Sequence, residues 1–106
     1  MNALQFSDDA LALLFAERHA DRLRYYTKRK CWFVWAGKDW AEDQTRLVFS
    51  LARDLCREQA AAANDKRTAM ALASARTVNA VVRLARCDQR LVTEWHPRPP
   101  VREVGG

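Results

Sequence analysis

Two groups of side chains in this sequence have the types and spacing to do chemistry. The first is a row of arginines, Arg76, Arg83 and Arg90, recurring every seven residues with Arg86 beside them. On a helix that period keeps the guanidinium groups on one line, and a guanidinium fork suits the geometry of a phosphate. The second is the run Trp32-Phe33-Val34-Trp35-Ala36-Gly37-Lys38-Asp39-Trp40, next to the basic turn Lys28-Arg29-Lys30. Aromatic rings beside cations are what single-strand binders use, each stacked base being worth about 1–3 kcal/mol. Together they nominate Lys28, Arg29, Lys30, Lys38, Arg76, Arg83, Arg86 and Arg90 as phosphate contacts, with Trp32 as a stacking surface. Each group also has a plain reading. An amphipathic helix needs a polar outer face, and most aromatic residues sit in cores. The arginine face is almost purely basic, with Asp88 off it, whereas a merely solvated face more often mixes signs.

No other constellation points to catalysis, a cofactor or a metal. Glu17, His19 and Asp21 look like an acid–His–acid set, but residues two apart on a helix point about 200° apart, so they do not converge. His96 lies among prolines with no partner in view. The three glycines, Gly37, Gly105 and Gly106, build no phosphate-binding loop, which argues against ATP hydrolysis by this chain alone. Cys31, Cys56 and Cys87 are odd in number and form no CxxC pair. They predict neither a disulfide framework nor a zinc site, but reduced thiols taking apolar positions in a cytoplasmic protein.

The totals agree with a small globular binder. At 106 residues the chain has the length of one domain, and 49% hydrophobic residues suffice for a core. The net charge is +5. Residues 1–43 balance seven Lys/Arg against seven Asp/Glu, while residues 44–106 hold eleven against six. A basic half suggests a polyanionic partner. The N-terminus lacks a basic leader region and acids interrupt its apolar run, so neither a signal peptide nor a membrane span is expected.

The elements that must position these residues follow from periodicity. Ser7 caps a helix from Asp8 to about Asp21, with Asp8 and Asp9 suiting its dipole. Leu23 to Thr27, Cys31 to Ala36 and Asp39 to Ala41 read as three short antiparallel strands. Asp43 caps a second helix, Gln44 to about Ala62. A third runs from Lys66 to Asp88, with Met70, Val78, Val81, Leu84 and Ala85 on its apolar side. The predicted fold is α+β: a helix, a small three-stranded antiparallel sheet, then two packed helices. The compact unit is 1–92, and 93–106 is an irregular Pro/Gly-containing tail. Strand alternation places Cys31, Phe33 and Trp35 on one face and Trp32 and Val34 on the other. The expected core set is the first, which leaves Trp32 exposed.

These residues together resemble a known family. The segments LFAERHADRLRYY, CWFVWAGKDW, LARDLCRE and ASARTVNAVVRLARCD are similar to the domain that precedes the superfamily 3 helicase in primase-helicases of poxviruses, satellite phages, plasmids and prophages. In that family the hairpin commonly reads as Trp, two apolar residues, Trp, a polar residue, Gly, two polar residues, Trp. Here those places are held by Trp32 through Trp40, with Ala36 at the polar position. The resemblance covers residues 6–95 and implies an accessory role in phage-type DNA replication. It departs after Trp95, where His96-Pro97-Arg98-Pro99-Pro100 replaces the family's Asp and LLN stretch. The motor's phosphate loop and the acidic residues of a primase site have no counterpart in these residues, so neither activity carries over.

Two functions are therefore expected to compete. One is weak, sequence-independent DNA binding by an accessory module. The other is a protein-interaction module docking on, or inhibiting, a replication or host protein. A continuous basic face would favour the first, and a large exposed apolar patch the second.

Overall fold

Ser7 accepts the Ala10 N–H at 3.1 Å, and from that cap α1 (Asp8–His19) buries Leu11, Ala12, Phe15 and Ala16 at helical spacing. The structure is a computed structural model and describes residues 3–98. After α1 come β1 (Leu23–Tyr26), β2 (Cys31–Trp35) and β3 (Trp40–Glu42). Three helices follow, α2 (Leu47–Ala61), α3 (Lys66–Leu72) and α4 (Ala75–Ala85), and the last element is β4 (Val92–Thr93). The fold is α+β, as the periodicities indicate.

The sheet is larger than expected. It has four strands in the order β3-β2-β1-β4, antiparallel except for β4, which lies parallel to β1. Tyr25 donates its N–H to the Leu91 carbonyl at 2.9 Å, and Thr27 to the Thr93 carbonyl at 3.0 Å. Thus Thr93, which opens the predicted irregular tail, belongs to the sheet. A two-residue strand carries no periodicity, so sequence alone gives it no signal.

The predicted third helix is two helices. Ser74 Oγ accepts the Thr77 N–H at 3.3 Å and donates to the Ala71 carbonyl at 2.7 Å. Thr77 Oγ1 donates to the same carbonyl at 2.8 Å. These bonds take over where the helical ladder ends, after the Ala73 N–H meets the Ala69 carbonyl, and turn the chain, as Ser and Thr do when they compete for backbone partners. Met70 is thereby taken off the apolar side and is 65% exposed.

The sidedness of the hairpin is the reverse of that expected. Register pairs Tyr25 with Trp32 and Leu23 with Val34, and this set faces the helices. Trp32 is buried in the core with Phe15, Leu23, Val48 and Val81, while Trp35 lies half-buried on the other face. Phe33 is buried too, because the chain after β4 crosses that outer face and sets the His96 ring 4.9 Å from it. Both faces of β2 therefore carry apolar cover. Alternation groups the residues correctly but cannot say which group meets the helices. Among the thiols, Cys56 is buried, Cys31 half-buried and Cys87 exposed, so Cys87 does not take the apolar position expected of it.

Candidate nucleic-acid interface

Three elements bring cations to one groove. The β1–β2 turn supplies Lys30, the start of α2 supplies Arg46, and α4 supplies Arg83 and Arg86. The groove has a volume of about 260 Å3, with Trp32 and Phe49 in its walls.

Local chemistry fixes each cation. The Lys30 N–H bonds the Thr27 carbonyl at 3.3 Å, and Lys30 has φ 52°. A turn closed by a left-handed residue is a common hairpin connection. Arg46 has φ 60° and stands at the α2 N-cap without a side-chain cap of its own. Asp43 does the capping instead, from three residues upstream. Its Oδ1 accepts the N–H groups of Thr45 (3.2 Å) and Leu47 (2.9 Å), and its Oδ2 that of Val48 (2.9 Å). Lys30 and Arg46 are the only non-glycine residues at positive φ among those described, and both border this groove.

Two of the guanidinium groups rest on rings. Arg46 Cζ lies 5.6 Å from the Phe49 centroid and Arg86 Cζ 5.4 Å from that of Tyr25. Such contacts hold a guanidinium flat while leaving its N–H edge free for an anion. Within the described residues none of Lys30, Arg46, Arg83 and Arg86 forms an ion pair. Among the described residues the one carboxylate in the groove wall is Asp43, and backbone N–H groups already hold it. The groove is therefore positive and not internally neutralised.

The residues nominated from sequence separate into groups. Lys30, Arg83 and Arg86 share the groove. Arg76 is exposed on the first turn of α4, two helical turns before Arg83. Arg90 lies beyond the helix, bonded to Asp88 at 2.9 Å and to the Leu13 carbonyl at 3.2 Å. It ties the exit of α4 to α1 and leaves the arginine row. Arg29 pairs with Glu42 at 2.8 Å, and Lys28 sits over the Trp95 ring. Lys38 lies in the β2–β3 turn, at the opposite end of β2 from Lys30. Trp32 cannot act as an exposed stacking surface: it is 8% exposed and meets Tyr25 edge to face at 5.1 Å.

Sequence reading misses Arg46, because a helix that starts at Gln44 places Arg46 inside it. It also misses Asn79, which lines the groove one helical turn before Arg83.

Burial, then the charge of Asp8, pushes the Cys56 thiol up to about 11. Burial and a hydrogen bond with Glu42 push Cys31 upward as well, so both thiols stay protonated at neutral pH. His19 is held below the usual imidazole range by burial and then by Arg22 and Arg18, and its Nδ1 accepts the Arg22 Nε–H at 3.0 Å. Among the described residues no three His, Cys, Asp or Glu side chains gather as metal ligands would, and no helix is long and apolar enough to cross a membrane.

Comparison with known proteins gives a family. The family model described as "D5 N terminal like" matches residues 12–101. No curated protein and no solved structure matches the chain. The family match runs from within α1 through β4 and includes every groove residue. The chain belongs to the D5 N terminal like family, the replication-associated N-terminal region of D5-type primase-helicases, an accessory region distinct from their helicase and primase catalytic parts.

Proposed function

We propose that this domain serves a D5-type replication protein as a non-catalytic module that holds DNA by its phosphates, in the cytoplasm. The observation that carries this reading is the convergence of Lys30, Arg46, Arg83 and Arg86, from three elements, on a groove whose carboxylate, Asp43, is already hydrogen-bonded to backbone. The excess charge of +5 adds long-range attraction for the same partner. The groove is lined mainly by cations suited to phosphates, so sequence-independent binding is expected. Its affinity belongs in the range of about 10⁻⁴ to 10⁻⁶ M typical of phosphate contact alone.

The alternative, docking on a replication or host protein, has less support. Of the exposed large apolar side chains, Leu13, Leu47, Met70 and Leu84 lie one on each of four helices and Trp95 on the segment after β4, so no one element presents them together. The deciding experiment is a duplex titration followed by fluorescence anisotropy across a salt series. Four phosphate contacts give a slope of log affinity on log salt of roughly −3 to −4. The double variant Arg83→Ala/Arg86→Ala loses about two units of that slope. An unchanged slope in that variant removes the groove reading, and a parent silent at low salt turns the case to protein docking.

A further inference from the structure

The outer face of the sheet carries a second site, separate from the groove. Register sets Trp35 opposite Trp40, and their rings meet edge to face at 5.4 Å. Arg24 is held beside them: its Nη1 donates to the Ala20 and Leu23 carbonyls, and its Cζ lies 5.2 Å from the Trp40 centroid. After β4 the chain folds back over this face. Thr93 Oγ1 accepts the Trp95 N–H at 3.1 Å, and His96 packs on Tyr26 and Phe33 at 5.6 and 4.9 Å. Between Trp95 and the Trp35–Trp40 pair lies a cleft of about 480 Å3, edged by Arg24 and Arg98, with Asp21 as the one carboxylate among its described lining residues. That volume falls in the ~300–1,000 Å3 range of small-ligand clefts.

The makeup of this cleft selects its occupant. Trp95 is 71% exposed, with Lys28 Nζ 5.6 Å from its ring centroid. An apolar peptide would strip water from the arginines without pairing them. A nucleotide strand matches both features, since its bases present π-faces to indole rings and its phosphates meet the cations. A duplex keeps its bases stacked on one another and cannot offer them here. We propose that the cleft takes an unpaired base of single-stranded nucleic acid, stacked on Trp95, with the adjoining phosphates on Arg24 and Arg98. The nucleic-acid reading above supplies only the class of ligand; the residues differ, so the two sites fail separately.

The test is tryptophan fluorescence quenching and affinity with a ten-residue oligothymidylate, with thymidine monophosphate and with a blunt duplex. The parent is expected to be quenched by the oligonucleotide and not by the duplex. Trp95→Ala removes an exposed side chain and should leave the melting temperature in place. It is expected to lose most of the quenching and about tenfold in single-strand affinity, with duplex affinity unchanged. Arg83→Ala/Arg86→Ala should keep the quenching amplitude. If Trp95→Ala binds and quenches like the parent, or if the parent shows no quenching, the stacking site is refuted. Equal binding of the mononucleotide makes it a free-nucleotide site and overturns the strand assignment.

Discussion

Tyr25 and Trp32 face each other across β1 and β2, their rings edge to face at 5.1 Å on the side of the sheet turned to the helices. The contact joins the sheet to the same core as Phe15 and Val81. Among the described residues the buried Trp32 Nε1–H has no hydrogen-bond partner, so the indole is there for its volume. Trp32→Ala is expected to cost about 3–5 kcal/mol, as aromatic truncations in cores do. Trp32→Phe should cost less, because it removes an unpaired N–H along with some volume. Trp35→Ala, on the outer face, should be milder than Trp32→Ala. Urea unfolding followed by circular dichroism gives the ranking, and an equal loss for Trp32→Ala and Trp35→Ala would contradict the sidedness of the sheet.

How much of this the sequence carries depends on the length over which each signal repeats. α1 and α2 repeat their apolar residues over three turns or more and are legible. The hairpin is legible from its aromatic flanks and Gly37, whose φ of 86° suits the turn. β4 has only Val92 and Thr93 and no period to read. The α3–α4 break hides inside a continuous helical pattern, because Ser74 and Thr77 act through side-chain bonds and not through hydropathy. Of the candidate site, the residues from one helix, Arg83 and Arg86, were legible as a set. Their meeting with Lys30 and Arg46 is tertiary, and so is the bond from Arg90 to the Leu13 carbonyl, whereas Asp88 lies only two residues from Arg90.

Arg46 offers a separate test of backbone and charge. A non-glycine residue in the left-handed region costs about 1–3 kcal/mol. Arg46→Gly removes that strain but raises the entropy of the unfolded chain, and it loses the contact over Phe49. The expected result is stability equal to or slightly above the parent together with weaker DNA binding. Arg46→Ala keeps the strain and loses the ring contact, so it should melt lower than Arg46→Gly. Thermal denaturation of both variants shows it, and Ala melting above Gly would rule out strain at this position.

His19 makes stability depend on pH. Burial, with Arg22 and Arg18 beside it, holds its folded pKa below the unfolded value of 6.5. The unfolded chain then binds more protons in that interval, so stability rises with pH there. The contribution is complete above about pH 6.5 and is lost as pH falls through the folded pKa. His19→Gln should flatten the fall in melting temperature between pH 7 and 5. Asp88 has a pKa lowered by its Arg90 hydrogen bonds and adds a loss of the same sign only below about pH 4. A parent whose melting temperature is flat from pH 7 to 5 would contradict the assignment for His19.

Arg86 and Arg90 lie four residues apart and should behave oppositely. Arg86 is exposed on the groove, over Tyr25, with no carboxylate bound to it among the described residues. Arg90 is held by both oxygens of Asp88 and by the Leu13 carbonyl, and those bonds link the end of α4 to α1. Arg86→Ala is expected to lower the salt slope of duplex binding by about one unit, with little change in melting temperature. Arg90→Ala should leave the slope in place and lower the melting temperature, because Asp88 and the Leu13 carbonyl lose the guanidinium, although Asp88 keeps the backbone N–H of residue 90. The effect is modest, since the pair is partly open to solvent. Anisotropy across a salt series and a melting curve for each variant decide the matter. A slope that falls for Arg90→Ala as much as for Arg86→Ala would restore the single seven-residue arginine row as the DNA contact and displace the groove.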